Sequence, residues 1–118
     1  MSCKNCKYTF HKLISYTSSS EIGTLITLVR NEDYKAVARI RISEVEKAIS
    51  IDFIVSFEQR KGYGSRLVRL IQAMARKRGK SIHADVVYDA VDFFKKQGFT
   101  LDNPDEPIDE LNLMTWRP

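Results

Sequence analysis

QRKGYGSRLVRLIQAMARKR, residues 59 to 78, is a basic, glycine-bearing loop that runs into an amphipathic helix. It follows directly on AISIDFIVSF, residues 48 to 57, whose alternation and β-branched content predict a strand. Strand, glycine loop and helix in that order build an anion site. Gly62 and Gly64 permit positive φ angles and close backbone approach, and successive N–H groups in such a loop form a concave nest. A helix starting near Gly64 or Ser65 adds its unpaired N–H groups and the positive end of its dipole. Arg60, Lys61 and Arg66 bring full positive charge, and no acidic residue occurs between Gln59 and Ala84 to oppose a phosphate. The segment predicts a diphosphate cradle.

Spacing narrows the class. No Gly-Lys-Ser/Thr completes a P-loop. The dinucleotide fingerprint needs a third glycine and an acid about 20 residues on, where this chain has Lys80 to Ala84. Gln59-Arg60-Lys61-Gly62-Tyr63-Gly64, after a strand and before a helix, instead resembles the Gln/Arg-x-x-Gly-x-Gly/Ala motif of the GNAT superfamily of N-acetyltransferases. A second segment, Asp89-Ala90-Val91-Asp92-Phe93-Phe94-Lys95-Lys96-Gln97-Gly98-Phe99, is similar to a helix end of the same superfamily, and the wording from Phe93 to Phe99 is especially close to its histone-acetylating members. Residues Ile51 to Leu67, with the Leu-Met-x-Trp ending at Leu113 to Trp116, are also similar to small phage-encoded anti-CRISPR acetyltransferases that modify a lysine of a nuclease.

Composition is compatible with that resemblance. The 118 residues predict a single domain over 1–118, with 1–7 a frayed N-terminus. Hydrophobic content of 43% and charged content of 29% exclude global disorder. The net charge of +4 concentrates around the central loop and helix, while Asp102 to Glu110 is acidic. A basic chain keeps nucleic acid among the candidate partners, but no aromatic platform or reading module accompanies the charge. A solvated helix face beside one anionic cofactor accounts for it. No apolar run is long enough to span a membrane and no signal-peptide pattern appears, so a cytoplasmic protein is expected.

Along the chain, strands are predicted over Tyr8 to Ile14, Ile22 to Arg30, Lys35 to Ser43 and Ala48 to Phe57. In the last of these, Ile49, Ile51, Phe53 and Val55 alternate with Ser50, Asp52 and Ile54. A helix over Ser65 to Arg78 presents Leu67, Leu70, Ile71 and Met74 to the core and stops at Gly79. Ser81 to Val87 is the next strand, parallel to Ala48 to Phe57 through a right-handed crossover, with His83 and Asp85 on one face. Asp89 reads as the N-cap of a helix through Lys96. Phe99 to Leu101 and Leu111 to Trp116 make a final hairpin. The expected fold is α/β (α+β): a mixed, mostly antiparallel sheet of about six to seven strands with two main helices. The resemblance implies a further helix pair between the first two strands, where only about seven residues lie, too few to form it. The cleft is then left open or is completed by a second copy in a homodimer.

Cys3, Cys6 and His11 are too few for a zinc site, which takes four ligands; no metal is expected. Acetyl transfer to an amine requires the reactants held in line, a proton removed and an oxyanion stabilised. The resemblance implies acetyl-CoA as donor, its pantetheine arm threaded between diverging strands at Ile51 to Val55 and Ile82 to Val86. Backbone groups of Phe53, Ile54 and Val55 would hold the arm, and Gln59, Arg60, Lys61, Gly62, Tyr63, Gly64 and Ser65 the diphosphate. Phe94 occupies the position of a tyrosine that many relatives use as acid, and is expected beside the coenzyme with no proton to give. Tyr88 is the alternative acid. Asp52, the one acid inside its strand, is the expected base, in competition with a cross-strand ion pair to Arg39 or Arg41; Glu46 and Asp85 stand in reserve. A lysine amine is mostly protonated at neutral pH, so the proton needs a route. The leading expectation is an acetyl-CoA-dependent N-acetyltransferase, with a protein lysine slightly favoured as acceptor. Alternatives are a small-molecule acetyltransferase, whose polyamine-like acceptor the acidic loop would attract, and an acetyl-CoA-binding or interaction module without turnover.

Overall fold

The alternating segments become strands. In a computed structural model that describes residues 8–16 and 22–118, β1 (Tyr8–Tyr16), β2 (Ile22–Arg30), β3 (Lys35–Glu44) and β4 (Ala48–Ser56) form an antiparallel meander. Helix α1 (Tyr63–Arg78) crosses over to β5 (Ser81–Val87), which lies parallel to β4. A 3-10 turn (Tyr88–Ala90) and helix α2 (Val91–Lys96) follow, then β6 (Thr100–Leu101) and β7 (Leu111–Trp116). The sheet order is β1-β2-β3-β4-β5-β7-β6. This is the mixed, mostly antiparallel α/β sheet the sequence predicts.

The hairpin between β1 and β2 is tighter than the sequence reading. Pairing runs from Tyr8 opposite Arg30 to Tyr16 opposite Ile22, so residues 17–21 are all that joins the strands. A helix advances about 1.5 Å per residue, and a helix pair does not fit in that length.

Both helices pack on one face of the sheet. Leu67, Val68, Ile71 and Ala75 of α1 are fully buried against Ile26, Leu28, Ile40, Ile42, Ile49 and Ile82. Val68 and Ala75 hold the centre of the stripe, and Leu70 and Met74, expected there, flank it half-buried. Burying one such Leu or Ile contributes roughly 1.5–3 kcal/mol. Gly79, at φ 65°, ends α1: its N–H reaches Arg76 O and the Lys80 N–H reaches Ala75 O. Glu44 on β3 then ties that end down through Lys80 Nζ (2.9 Å) and Arg78. Helix α2 is anchored by Val91, Phe94 and Phe99 in the core, and Gln72 Nε2 donates to Gln97 O at 2.6 Å. Asp89 does not cap it. The 3-10 turn takes up Asp89, and no side chain caps α2. No helix among the described residues is long and apolar enough to cross a membrane.

On the other face of the sheet no helix packs among the described residues. Arg39 and Arg41 lie there, partly exposed, as do the exposed apolar side chains Phe53, Val55, Val87, Leu111 and Leu113.

Candidate active site

The site starts from one extra residue. Arg41 pairs with Phe53 and Ile42 with Ile51, so Asp52 is a bulge in β4. A bulge bends and twists its strand, and here it reverses the expected alternation. Ile54 turns to the helix side and packs on the core, whereas Phe53 and Val55 turn to the open face. At the same point β4 leaves β5. Their ladder runs only from Ala48 and Ser81 to Ile51 and Ala84. Beyond it, alternate backbone groups of β4 have no strand partner on the β5 side.

A cavity of about 440 Å³ opens on the helix side of this divergence. Ile54 and Ser56 of β4, the loop residues Gln59, Arg60 and Gly62, and Tyr63, Gly64 and Ser65 of the first turn of α1 line it, with Asp89, Ala90 and Phe93 opposite. The loop is bent by two left-handed residues, Arg60 at φ 61° and Gly62 at φ 76°. Gly62 is the N-cap of α1, so the helix begins two residues earlier than Ser65 and its free N–H groups fall within the cavity wall. The two glycines have different reasons. A Cβ on Gly62 would meet nothing within 4 Å and would be strained only by φ; a Cβ on Gly64 would press on the Phe93 ring at 3.3 Å.

The expected residues divide between this cavity and other surroundings. Phe94 is buried in the core, edge-on to Phe93 and Phe99, and it is Phe93 that faces the cavity. The Tyr63 ring is buried beside Tyr8, while the Arg66 guanidinium stacks over the Tyr8 ring at 4.7 Å. Phe53 and Val55 offer backbone at the divergence and side chains to the open face, and Lys61 is exposed on the loop outside the cavity wall.

A second cavity, of about 390 Å³, lies on the open face at the last paired residues. Ser50, Ile51, Asp52, His83, Ala84, Asp85 and Leu113 line it. Asp52 Oδ2 accepts a 2.6 Å hydrogen bond from Ser43 Oγ and lies 3.9 Å from Arg41 Nε. Of the two competing roles for Asp52, the ion pair is therefore present, to Arg41 and not Arg39, which bonds Thr27 instead. Tyr88 stands exposed at the end of β5. Sequence reasoning passes over Asp89, Ala90 and Phe93 as cavity wall, because the 3-10 turn that rotates them inward has no sequence signal. It also gives no role to His83, although alternation sets it on the Asp85 face. Cys3 and Cys6 lie outside the described residues.

The family comparison agrees with this architecture. Residues 3–114 match the model of the acetyltransferase (GNAT) domain. Among solved structures, the anti-CRISPR protein AcrVA5 superposes with a TM-score of 0.59 at 27% identity, over 68% of this chain and 90% of that one. The catalytic domain of Tetrahymena GCN5 histone acetyltransferase, in complex with coenzyme A, superposes with a TM-score of 0.69 at 15% identity, over 96% and 94%. The ribosomal-protein-S18-alanine N-acetyltransferase of Escherichia coli gives 0.65 at 18% identity, over 86% and 71%. No curated protein matches in sequence.

Proposed function

The chain belongs to the acetyltransferase (GNAT) domain family, and from that premise we propose that it moves an acetyl group from acetyl-CoA to an amine, in preference a lysine of a protein. The observation that carries this reading is the divergence of β4 from β5 after Ile51 and Ala84, between a glycine-bent loop on one side and an open carboxylate-lined cavity on the other. The helix-side cavity suits the coenzyme. Backbone N–H groups at the start of α1 and the Arg60 charge favour its diphosphate, and the unpartnered edge of β4 can accept the amides of its arm as an added strand would be accepted. When bound, acetyl-CoA supplies the activated acetyl group; the chain supplies alignment, backbone dipoles for the carbonyl oxygen and a dry wall of Ile54 and Phe93. The open face, with Phe53, Val55, Val87, Leu111 and Leu113 exposed around the second cavity, suits an extended macromolecular acceptor better than a small polar one.

Calorimetric titration of acetyl-CoA into the protein and into Gly62→Glu tests the reading. Micromolar binding that the variant loses supports it, and absence of binding by the parent overturns it. Binding without any transfer to lysine-bearing proteins would favour a non-turnover module. One observation favours a small cationic acceptor: a cavity of about 470 Å³ beside Leu113 is lined by Glu106 and Asp109. On that reading, charge reversal of Asp105, Glu106 and Asp109 raises KM for polyamine-like amines.

A further inference from the structure

The acetyltransferase reading, on which this inference rests, requires the acceptor amine to lose a proton. The Asp52 carboxylate is engaged by the Ser43 hydroxyl at 2.6 Å and faces Arg41 at 3.9 Å. We propose that the imidazole of His83 accepts the proton, and that Asp102, acting through Thr115, positions the ring for it.

Three strands assemble the chain of contacts. The β5–β7 register sets His83 opposite Thr115, and the β6–β7 register brings the end of β6 alongside. Asp102 follows β6 and is pinned by its N–H, which donates to Leu113 O at 2.9 Å. Thr115 Oγ1 donates to Asp102 Oδ1 at 2.6 Å. An ionised carboxylate only accepts, so the single hydroxyl proton of Thr115 is committed there. The 3.1 Å contact between Thr115 Oγ1 and His83 Nδ1 must then be donated by the ring. In the neutral imidazole this leaves the lone pair on Nε2. Ser81 Oγ stands 3.2 Å from Nε2; its hydroxyl donates to the neutral ring and, being a rotor, turns to accept from the imidazolium.

The surroundings suit a cationic acceptor. His83 is half-buried in the wall of the second cavity. The charged groups toward it are Asp52 from β4, itself 3.9 Å from Arg41 Nε of β3, Asp85 from its own strand and Asp102 beyond β6; β7 presents Thr115 and Leu113. The three carboxylates attract an alkylammonium group. In the step, the ammonium N–H bond breaks and its proton moves to Nε2. The nitrogen lone pair so freed forms the new C–N bond as the thioester C–S bond breaks, and the nitrogen then sheds its second proton to the departing thiolate. The imidazolium then releases its proton to water, and the ring ends as it began. Histidine is the residue type whose ordinary titration lies near neutral pH.

Nitrogen-15 NMR of the imidazole in the coenzyme-free protein reads the positioning directly. The neutral ring is expected to carry its proton on Nδ1, and Thr115→Val, whose fold is checked by its melting curve, to shift it toward Nε2. A parent ring protonated at Nε2 overturns the proposal. In kinetics with a lysine-bearing acceptor, His83→Gln is expected to lower kcat by roughly 10²–10⁴-fold and to abolish the acid limb of the kcat profile, while calorimetric binding of acetyl-CoA stays unchanged. Equal activity and an unchanged pH profile in His83→Gln also overturn it. A parent that binds no acetyl-CoA overturns the underlying acetyltransferase reading and this step with it; binding retained with an Nε2-protonated ring overturns His83 alone.

Discussion

Gly64 and Phe93 meet across the junction of α1 and α2, so closely that a Cβ on Gly64 would stand 3.3 Å from Phe93 Cζ and 3.9 Å from Ile54 Cδ1. The contact holds both walls of the helix-side cavity together. Gly64 has ordinary helical geometry, so Gly64→Ala gains up to about 1 kcal/mol of helix propensity while pushing the Phe93 ring by a few tenths of an ångström. We expect the melting temperature to change little and acetyl-CoA affinity to fall by about tenfold, or 1.4 kcal/mol. Unchanged affinity by calorimetry would show that the ring yields without cost to the cavity.

Gly62 answers to a different constraint. At φ 76° with open space around it, an L-residue costs about 1–2 kcal/mol. Gly62→Ala should therefore lose about 1 kcal/mol of stability, and Gly62→Asn less, because asparagine tolerates the left-handed region. Gly62→Glu should melt close to Gly62→Ala yet bind acetyl-CoA more than a hundredfold weaker, a carboxylate having been set among the diphosphate donors. If the alanine and glutamate variants bind alike, the anion does not sit here.

The difference between the glycines marks where sequence stops being legible. Alternation gives the strands of the meander, the burial of Ile40, Ile42, Ile49 and Ile51, and the crossover to β5, because each depends on a local period. The Asp52 bulge depends on how β3 pairs with β4, which no single strand records, and it turns Phe53, Ile54 and Val55 to faces opposite those expected. Phe93 and Phe94 change places for a similar reason. The 3-10 turn before α2 sets the helix phase, and the core takes Phe94. The Asp102–Thr115–His83 chain is further from sight, because it joins residues of β5 and β7 to one just past β6 through two registers.

The Phe94 position can be tested by adding a hydroxyl to its ring. Phe94 is 4% exposed, with Phe93 and Phe99 ring centroids at 5.2 and 5.1 Å. Phe94→Tyr buries a hydroxyl among rings and should cost about 1–3 kcal/mol without raising kcat. Phe94→Ala should cost about 3–5 kcal/mol. Phe93→Ala, which opens the cavity wall, should instead spare most of the stability and weaken acetyl-CoA binding. A rise in kcat for Phe94→Tyr would mean that this side chain reaches the reacting atoms after all.

Glu44 gives the fold a defined weakness in acid. Burial alone raises its pKa, but hydrogen bonds from Lys80 and Arg78 outweigh that and hold the carboxyl below its ordinary value. A carboxyl depressed in the folded state adds stability at pH values above its unfolded pKa of about 4.3, and that stability is lost as pH falls through the lower folded value. Glu44→Gln should therefore cost about 1 kcal/mol at neutral pH, chiefly by loosening the end of α1 from β3. In acid, below that folded value, the gap between parent and variant should close as Glu44 itself becomes protonated. Asp33, which the Arg30 hydrogen bond holds down to about 2, weakens in the same direction, but equally in both proteins, so the difference isolates Glu44. Urea unfolding of both proteins at the two pH values measures it, and a gap of equal size at each would mean that the ion pairs to Lys80 and Arg78 contribute nothing to folding.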